Sequence, residues 1–412
     1  MIDVGISQAS TWINLPGWIA VALFVLLAIQ LPALAILLSR LLQGPTRQPP
    51  LPPQQANLTQ FGKVSVVVPT LNEAERIQPC LDGLSRQSFG VREIIIVDSR
   101  SQDGTVDRVK TMQQIDPRFR VIYDDPLPAG WVGRPWALHT GFLNSSDQST
   151  WFLGVDADTQ PQPGLVAGLV AAAEAGNFDL VSLSPQFILK QPGEFWLQPA
   201  LLMTLIYRFG PSGSAIAGSD LGSERVMANG QCFLCRRSLL TMLDGYSSAR
   251  NSFCDDVTLA RYAAAQGAKV GFLDGAKLLK VRMYEGMAET WKEWGRSLDL
   301  KDAATPIQTW GDVAFLALVQ GLPLVLLPVL IALVSLGYAA PVLWICLGMN
   351  ALLVTMRFAL LWAIASSYDA SQGKGAWAFW LSPFADPLAV VRIALSASRT
   401  PTQWRGRQYD AV

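Results

Sequence analysis

Apolar positions run almost unbroken from 17 to 38, about the 20 residues that a helix needs to cross a bilayer. The run is too long for a signal-peptide core, and no small-residue cleavage site follows it. From 64 onward the pattern changes to short continuous apolar stretches separated by segments of helical length. VSVVVPT (64–70), EIIIVDS (93–99), RVIYDD (120–125) and TWFLGVDAD (150–158) read as strands, and 75–87 and the residues after Thr105 read as helices. Strands that are apolar at every position are buried on both faces. The pattern therefore predicts an α/β fold with a parallel sheet and helices on both faces. Ligands bind beyond the carboxyl ends of the strands in such sheets, where Pro69 to Glu73, Asp98, and Asp156 to Asp158 fall.

Later apolar segments are longer. The stretch 195–209 is short and contains Pro199, which suits an interfacial or core helix better than a span. Residues 210–224, rich in Gly and Ser, read as a mobile loop. The segments 313–336 and 341–365 are joined by an uncharged connector, so they predict a transmembrane hairpin. Arg357 within it is expected to snorkel toward the headgroups. The segment 376–395 is interrupted by Pro383, Asp386, Pro387 and Arg392 and is expected to lie in the interface. WKEWGRSLDLKD (291–302) mixes tryptophans with charges, as helices at membrane surfaces do. Residues 44–57 are rich in Pro and Gln and predict a semi-rigid, unpacked linker. Arg40, Arg47 and Lys63 follow the first apolar run while no Lys or Arg precedes it. The positive-inside rule then puts the following domain on the cytoplasmic face. The expected division is an N-terminal transmembrane helix (1–43), a linker (44–60), a catalytic domain (61–290), an interfacial helix (291–312), the hairpin (313–366) and an interfacial C-terminal segment (367–412).

Composition narrows the chemistry. Half of the 412 residues are hydrophobic and 16% are charged, against about 25% in a typical soluble domain. The formal net charge is zero, which argues against nucleic acid as a partner. His139 is the only histidine, and Cys232 and Cys235 form a CxxC without a second pair nearby. Tetrahedral zinc and Ser-His-Asp chemistry are thereby disfavoured, and acid–base work falls to carboxylates.

Asp156 and Asp158 end a buried strand, and two carboxylates so close call for a cation such as Mg²⁺ or Mn²⁺ with phosphate oxygens. Asp98 either holds a nucleotide or caps the next helix. Asp255 and Asp256 open a helical pattern; one of them suits a general base, although acids also gather at helix N-termini for the dipole alone. Arg134, ahead of a helix start, suits a phosphate. Trp131 and Trp136 fit either the core or a platform for an acceptor. Arg296 either reaches back toward a diphosphate or serves the membrane anchor.

PTLNEAE (69–75), IIIVDSRSQDGT (94–105), GWVGRPWAL (130–138), DAD, ANGQCFLCRRS (228–238) and CDDVTLA (254–260) occur in one order. This ordered set resembles the family 2 glycosyltransferases of the GT-A fold over about 64–301, which implies a mixed, mostly parallel sheet. The resemblance implies a nucleotide-sugar donor carrying UDP, GDP or dTDP, a divalent metal and inverting transfer. On the matching positions it implies that Pro69, Asn72, Glu73, Asp98, Arg134, Asp156 and Arg296 face the donor and that Asp156 and Asp158 hold the metal. It further implies that Asp256 is the base and that Trp131, Trp136 and Asp255 face the acceptor. Ser99 stands where the family often has a second Asp, and Glu293 to Ser297 replace the (Q/R)xxRW motif of processive synthases. GWVGRPWAL is similar to the lipid-glycosylating branch, and WGRSLDLKDA (294–303), SPFADPLAVVR (382–392) and TQWRGRQY (402–409) resemble the cyanobacterial carotenoid 2′-O-glycosyltransferases. That implies a membrane-embedded acceptor: a carotenoid hydroxyl such as the 2′-hydroxyl of a myxol-type carotenoid, or else a diacylglycerol, sphingoid or hopanoid lipid.

Overall fold

The structure is a computed structural model that describes residues 14–42, 44, 47–213, 216–217, 223–294, 298, 300–399, 403–404 and 407–408. In chain order the elements begin with α1 (Gly17–Leu41), β1 (Val64–Thr70), α2 (Gln78–Ser85), β2 (Val91–Asp98), α3 (Thr105–Ile115) and β3 (Phe119–Tyr123). They continue with α4 (Gly133–Leu143), β4 (Trp151–Val155), β5 (Thr159–Pro161), α5 (Leu165–Ala175), β6 (Leu180–Ser184), β7 (Gln186–Ile188) and α6 (Pro192–Phe209). Then come β8 (Ile216–Ala217), β9 (Cys232–Arg236), α7 (Arg237–Met242), α8 (Asp255–Ala265), β10 (Val270–Asp274), β11 (Leu279–Val281) and α9 (Gly286–Glu293). The last part holds α10 (Pro306–Leu316), a π-helical turn (Ala317–Gly321), α11 (Leu322–Ser335), α12 (Pro341–Ala363), β12 (Tyr368–Asp369), a 3₁₀ segment (Ala376–Ala385) and α13 (Asp386–Ala397).

The main sheet runs β3-β2-β1-β4-β9-β6-β10-β8. β1 to β4 pair in parallel, β9 is antiparallel to both β4 and β6, and β10 is parallel to β6. Alternate residues of a strand face opposite sides, and here both sides are core. Val66, Val68, Ile94 and Ile96 enter one cluster with α2, α3 and α5. Val67, Ile95 and Val97 enter the other with α4, α7 and α8. The unbroken apolar strands seen in the sequence are the consequence. α4 lies close on the sheet because position 141 is glycine; a Cβ there would sit 2.3 Å from Val67 Cγ1. A second sheet, β12-β7-β11-β5, joins the domain to the chain that leaves α12.

Two expectations are corrected. The Pro/Gln-rich stretch is docked rather than unpacked: Leu51 is buried and its N–H donates to Asp274 O at 2.8 Å, and Gln48 N–H donates to Gly213 O at 3.0 Å. Arg357 does not snorkel. It is 3% exposed, and its Nε donates to Asp386 Oδ2 at 2.7 Å while Nη2 donates to Asp386 Oδ1 at 3.1 Å and to Ser382 Oγ at 3.2 Å. The stretch 195–209 lies within α6, a core helix rather than an interfacial one, with Leu197, Leu201 and Tyr207 fully buried.

Among the described residues four helical segments are long and apolar enough to cross a membrane: Gly17–Leu41, Pro306–Ser335, Pro341–Ala363 and Ala376–Ala397.

Candidate active site

The turns after β1, β2 and β4 converge at the carboxyl edge of the sheet. Asn72 sits in the left-handed region (φ 55°), a conformation that Asn tolerates better than most residues. Its N–H donates to Ser101 Oγ at 2.8 Å, and its Oδ1 accepts from Gln102 N–H at 2.9 Å. Glu73 N–H donates to Thr105 Oγ1, and Ala74 N–H to Asp103 Oδ2, both at 2.8 Å. Asp98 is 1% exposed and accepts from Thr70 Oγ1 at 3.1 Å and from Ser101 N–H at 2.9 Å. Asp98 thus braces the two turns that meet at this edge.

Arg134, in the first turn of α4, is the hub. Its Nε and Nη2 donate to Asp156 Oδ1 at 3.0 and 2.9 Å, Nη2 donates to Gly230 O at 2.7 Å, and Nη1 donates to Asp255 Oδ2. Burial alone would lower its pKa, but Asp156, Asp255 and Asp256 raise it well above the ordinary value. The carboxylates respond in kind. Burial, with the charge of Asp156, pushes Asp158 up to about 7. Burial and the neighbouring Asp256 push Asp255 up to about 7 against the pull of Arg134. Asp256 is also raised, chiefly by burial.

Asp156, Asp158, Asp255 and Asp256 line one cavity of about 1120 Å³ with Asn72, Glu73, Asp103 and Arg134. Its other walls include apolar residues: Leu202, Leu205, Ile206 and Phe209 of α6, Met283, Trp294 and Leu298, and Ile364 just beyond α12. One space therefore brings acidic groups together with apolar walls, and Leu205 and Phe209 pack on Cys254 and Val257 beside Asp255 and Asp256.

Not every expected residue lines it. Pro69, one residue before the end of β1, does not line the cavity, nor does Asp98. Trp131 and Trp136 meet edge to face, centroids 5.1 Å apart; His139 lies tilted against Trp131 at 4.9 Å and stacked on Trp136 at 5.7 Å, and Trp131 packs on the core that includes α4. His139 accepts from Tyr246 N–H through Nδ1 at 3.2 Å, a structural bond. Arg296 lies outside the described residues, as do much of the loop 210–224 and half of 402–409. Cavity residues without an expected role are Arg76, Asp103, Asn229 to Gln231 and Glu289. Arg76 immediately follows PTLNEAE, and Asn229 to Gln231 lie inside ANGQCFLCRRS, so the motif context pointed to them; Glu289 carried no signal.

The Asp156/Asp158 pair fits a divalent cation. Both are oxygen donors, both face the cavity, and Asp158 is raised first by burial and then by the charge of Asp156 beside it. Among the described residues no group of three or more His, Cys, Asp or Glu gathers to cage a metal. The fit is thus to the half-open kind of site that Mg²⁺ and Mn²⁺ share with phosphates.

Comparison with known proteins agrees with this architecture. A mannosyltransferase from Pyrobaculum calidifontis, solved with GDP-Man and Mn²⁺, superposes with a TM-score of 0.51 at 18% identity, covering 92% of this chain and 98% of that one. That likeness establishes the GT-A fold. The 4,4′-diaponeurosporenoate glycosyltransferase of Staphylococcus haemolyticus is 24% identical over 243 residues, 59% of this chain and 62% of the relative. A GalNAc(5)-diNAcBac-PP-undecaprenol β-1,3-glucosyltransferase of Campylobacter jejuni is 28% identical over 114 residues, 28% of this chain and 35% of the relative. The chain thus spans less than two thirds of the length of these curated relatives. Residues 65–242, which hold Asp98, Arg134 and the Asp156/Asp158 pair, match the family described as Glycosyl transferase family 2.

Proposed function

We propose that this protein transfers a sugar, with inversion, from a nucleotide-sugar to a hydroxyl of a membrane-embedded lipid, and that the acceptor is a carotenoid hydroxyl of the 2′ type. The observation that carries the reading is one cavity lined both by the carboxylates at the strand termini and by apolar side chains of α6 and Ile364. A polar donor suits the first lining and an apolar acceptor the second. The staphylococcal relative's name specifies a carotenoid acid and the Campylobacter relative's an undecaprenol diphosphate, so both support an apolar acceptor.

In this reading Asp256 takes the proton from the acceptor hydroxyl. The freed oxygen attacks the anomeric carbon from the face opposite the leaving group. The bond from that carbon to the diphosphate breaks, and the nucleoside diphosphate departs with the electron pair. The raised pKa of Asp256 suits a base that must hold the proton it receives. Asp156 and Asp158 would hold Mg²⁺ or Mn²⁺, which supplies Lewis-acid stabilisation of the leaving diphosphate. Arg134 keeps Asp156 and Asp255 in place and shields their mutual repulsion. Asp98 supports the donor by fixing the turn that carries Ser101.

The test is transfer by the purified full chain in lipid vesicles with Mn²⁺. UDP-, GDP- and dTDP-sugars are each offered with a hydroxylated carotenoid, a diacylglycerol, a sphingoid, a hopanoid and a water-soluble sugar. Glycosylation of the carotenoid is the expected result. Equal activity on the water-soluble sugar would reject a lipid acceptor, and preference for another lipid would reject the carotenoid. Asp256→Asn is expected to slow transfer by about 10²–10⁴-fold while nucleotide binding survives.

A further inference from the structure

The cations lining the cavity are unequally committed. Arg134 donates to Asp156, Asp255 and Gly230 O. Arg47 faces Asp274 at 3.6 Å. The Lys292 side chain is 83% exposed and pairs with its neighbour Glu293 at 3.5 Å. Arg76 differs. Its Nη2 lies 3.2 Å from Glu289 Oε1, both side chains are about a third exposed, and both line the cavity. Among the described residues Glu289 is its ion-pair partner.

The bridge joins two separate elements. Arg76 belongs to the turn after β1, where its N–H donates to Glu73 O at 2.9 Å. Glu289 lies in the first turns of α9, and its other oxygen accepts from Glu285 N–H at 2.7 Å. α9 is pinned in turn by Gln198 of α6, whose Nε2 donates to Tyr284 O and Thr290 Oγ1, each at 3.1 Å. Asp158 is close enough that its charge acts on Arg76, and the charge of Arg76 acts on Asp158. Arg76 thus stands beside the expected metal pair with a single carboxylate as its ion-pair partner among the described residues. An exposed carboxylate bridge is a weak competitor, whereas a diphosphate offers a guanidinium several charged oxygens in paired geometry.

We propose that Arg76 binds the diphosphate of the donor, and that Glu289 holds it in reserve until the donor arrives. This inference rests on the nucleotide-sugar reading above. Donor binding transfers the guanidinium from the Glu289 carboxylate to phosphate oxygens and releases α9 from the turn after β1. No covalent change is involved.

The experiment is calorimetric titration of the full-length protein in detergent with UDP, GDP and dTDP, each with Mn²⁺, and with the matching nucleosides. Arg76→Gln is expected to weaken nucleoside diphosphate binding by about tenfold or more and to leave nucleoside binding unchanged. Arg76→Lys should restore part of the loss, which separates a charge effect from misfolding. Glu289→Gln should tighten diphosphate binding several-fold, about the gain from removing a weak competing bridge. In the Arg76→Gln background the same change should do nothing. Unchanged diphosphate affinity in Arg76→Gln, or a Glu289→Gln effect that persists without Arg76, overturns the proposal. A wild-type protein that binds none of the three diphosphates overturns the nucleotide-sugar reading and this inference with it.

Discussion

At position 230 a methyl group would lie 2.4 Å from Arg134 Nη2. The absence of a side chain there lets one guanidinium reach Gly230 O, Asp156 and Asp255 together. The sequence placed Arg134 ahead of a helix start, and that position together with the family resemblance assigned it to a phosphate; it lies in the first turn of α4. Its partners lie 22, 96 and 121 residues away, and no local pattern reports contacts at that separation. The acidic pair was legible because two carboxylates at a strand end are electrostatically anomalous by themselves. Asp158 carries that anomaly into a prediction. Its folded pKa, raised to about 7 by burial and Asp156, exceeds the ordinary 3.8. A raised carboxylate binds its proton more tightly in the folded state. The metal-free protein therefore loses stability from this group as pH rises from about 4 to about 7. A cation must displace that proton, so Mn²⁺ affinity should fall about tenfold per pH unit below about 7 and level off above it. Calorimetry from pH 5.5 to 8 checks this, and Asp158→Asn should flatten the profile. A flat profile in the wild type would show that Asp158 does not meet the ion.

Among the elements, α6 connects chemistry to membrane. One side of it faces the cavity through Leu202, Leu205 and Ile206, and the other packs on α1, the π turn and α13. Gln320 in the π turn donates to Ala200 O of α6 at 3.0 Å and to Asp386 Oδ1 at 3.2 Å, and Asp386 pairs with Arg357. The β-strands could be read in advance because two-sided burial demands continuous apolar runs. This polar chain could not. Arg357 and Asp386 sit on different helices, and each alone looks like a charge that should seek water. The docked linker was missed for a similar reason: proline content sets stiffness but not the surface on which a segment lies. Removing one charge leaves the other buried without compensation. Arg357→Leu should destabilise the protein by about 3–5 kcal/mol. Replacing both, Arg357→Met with Asp386→Leu, should cost much less, because an apolar pair of similar volume needs no desolvation. Thermal unfolding in detergent, monitored for the single and double variants, distinguishes the two. Equal losses in both would mean that the pair contributes through shape rather than charge.

The whole molecule divides along one axis. The N-terminal half of α1, α11 and the start of α12 meet in a cluster of Leu23, Leu330, Val342, Leu343 and Cys346. No described residue of 44–305 joins that cluster. At about 1.5 Å per residue, the 25 residues of α1 extend roughly 37 Å from one end to the other. The opposite ends of these helices meet the α/β domain, where Arg40 Nη1 donates to Tyr207 O at 3.0 Å. The segment Ala376–Ala397 has the length and composition of a span, yet both its ends are tied to the domain side. Lys374 N–H donates to Lys190 O at 2.9 Å at one end. At the other, Arg392 Nε donates to Trp291 O at 2.6 Å and Lys301 Nζ donates to Ser396 O at 3.3 Å. Between them Trp377, Trp380, Phe384, Leu388, Val391 and Leu395 form an exposed apolar stripe, as expected of a helix lying in the interface. Such a segment would hold the domain close against the bilayer surface. Single cysteines can test this, because all five native cysteines are buried. With an impermeant maleimide on oriented vesicles, Ser371→Cys and Ser398→Cys should label from the same face and Tyr338→Cys from the other. Labelling of Ser371→Cys and Ser398→Cys from opposite faces would make 376–397 a fourth span. The domain contacts at one of its ends would then have to break in the bilayer.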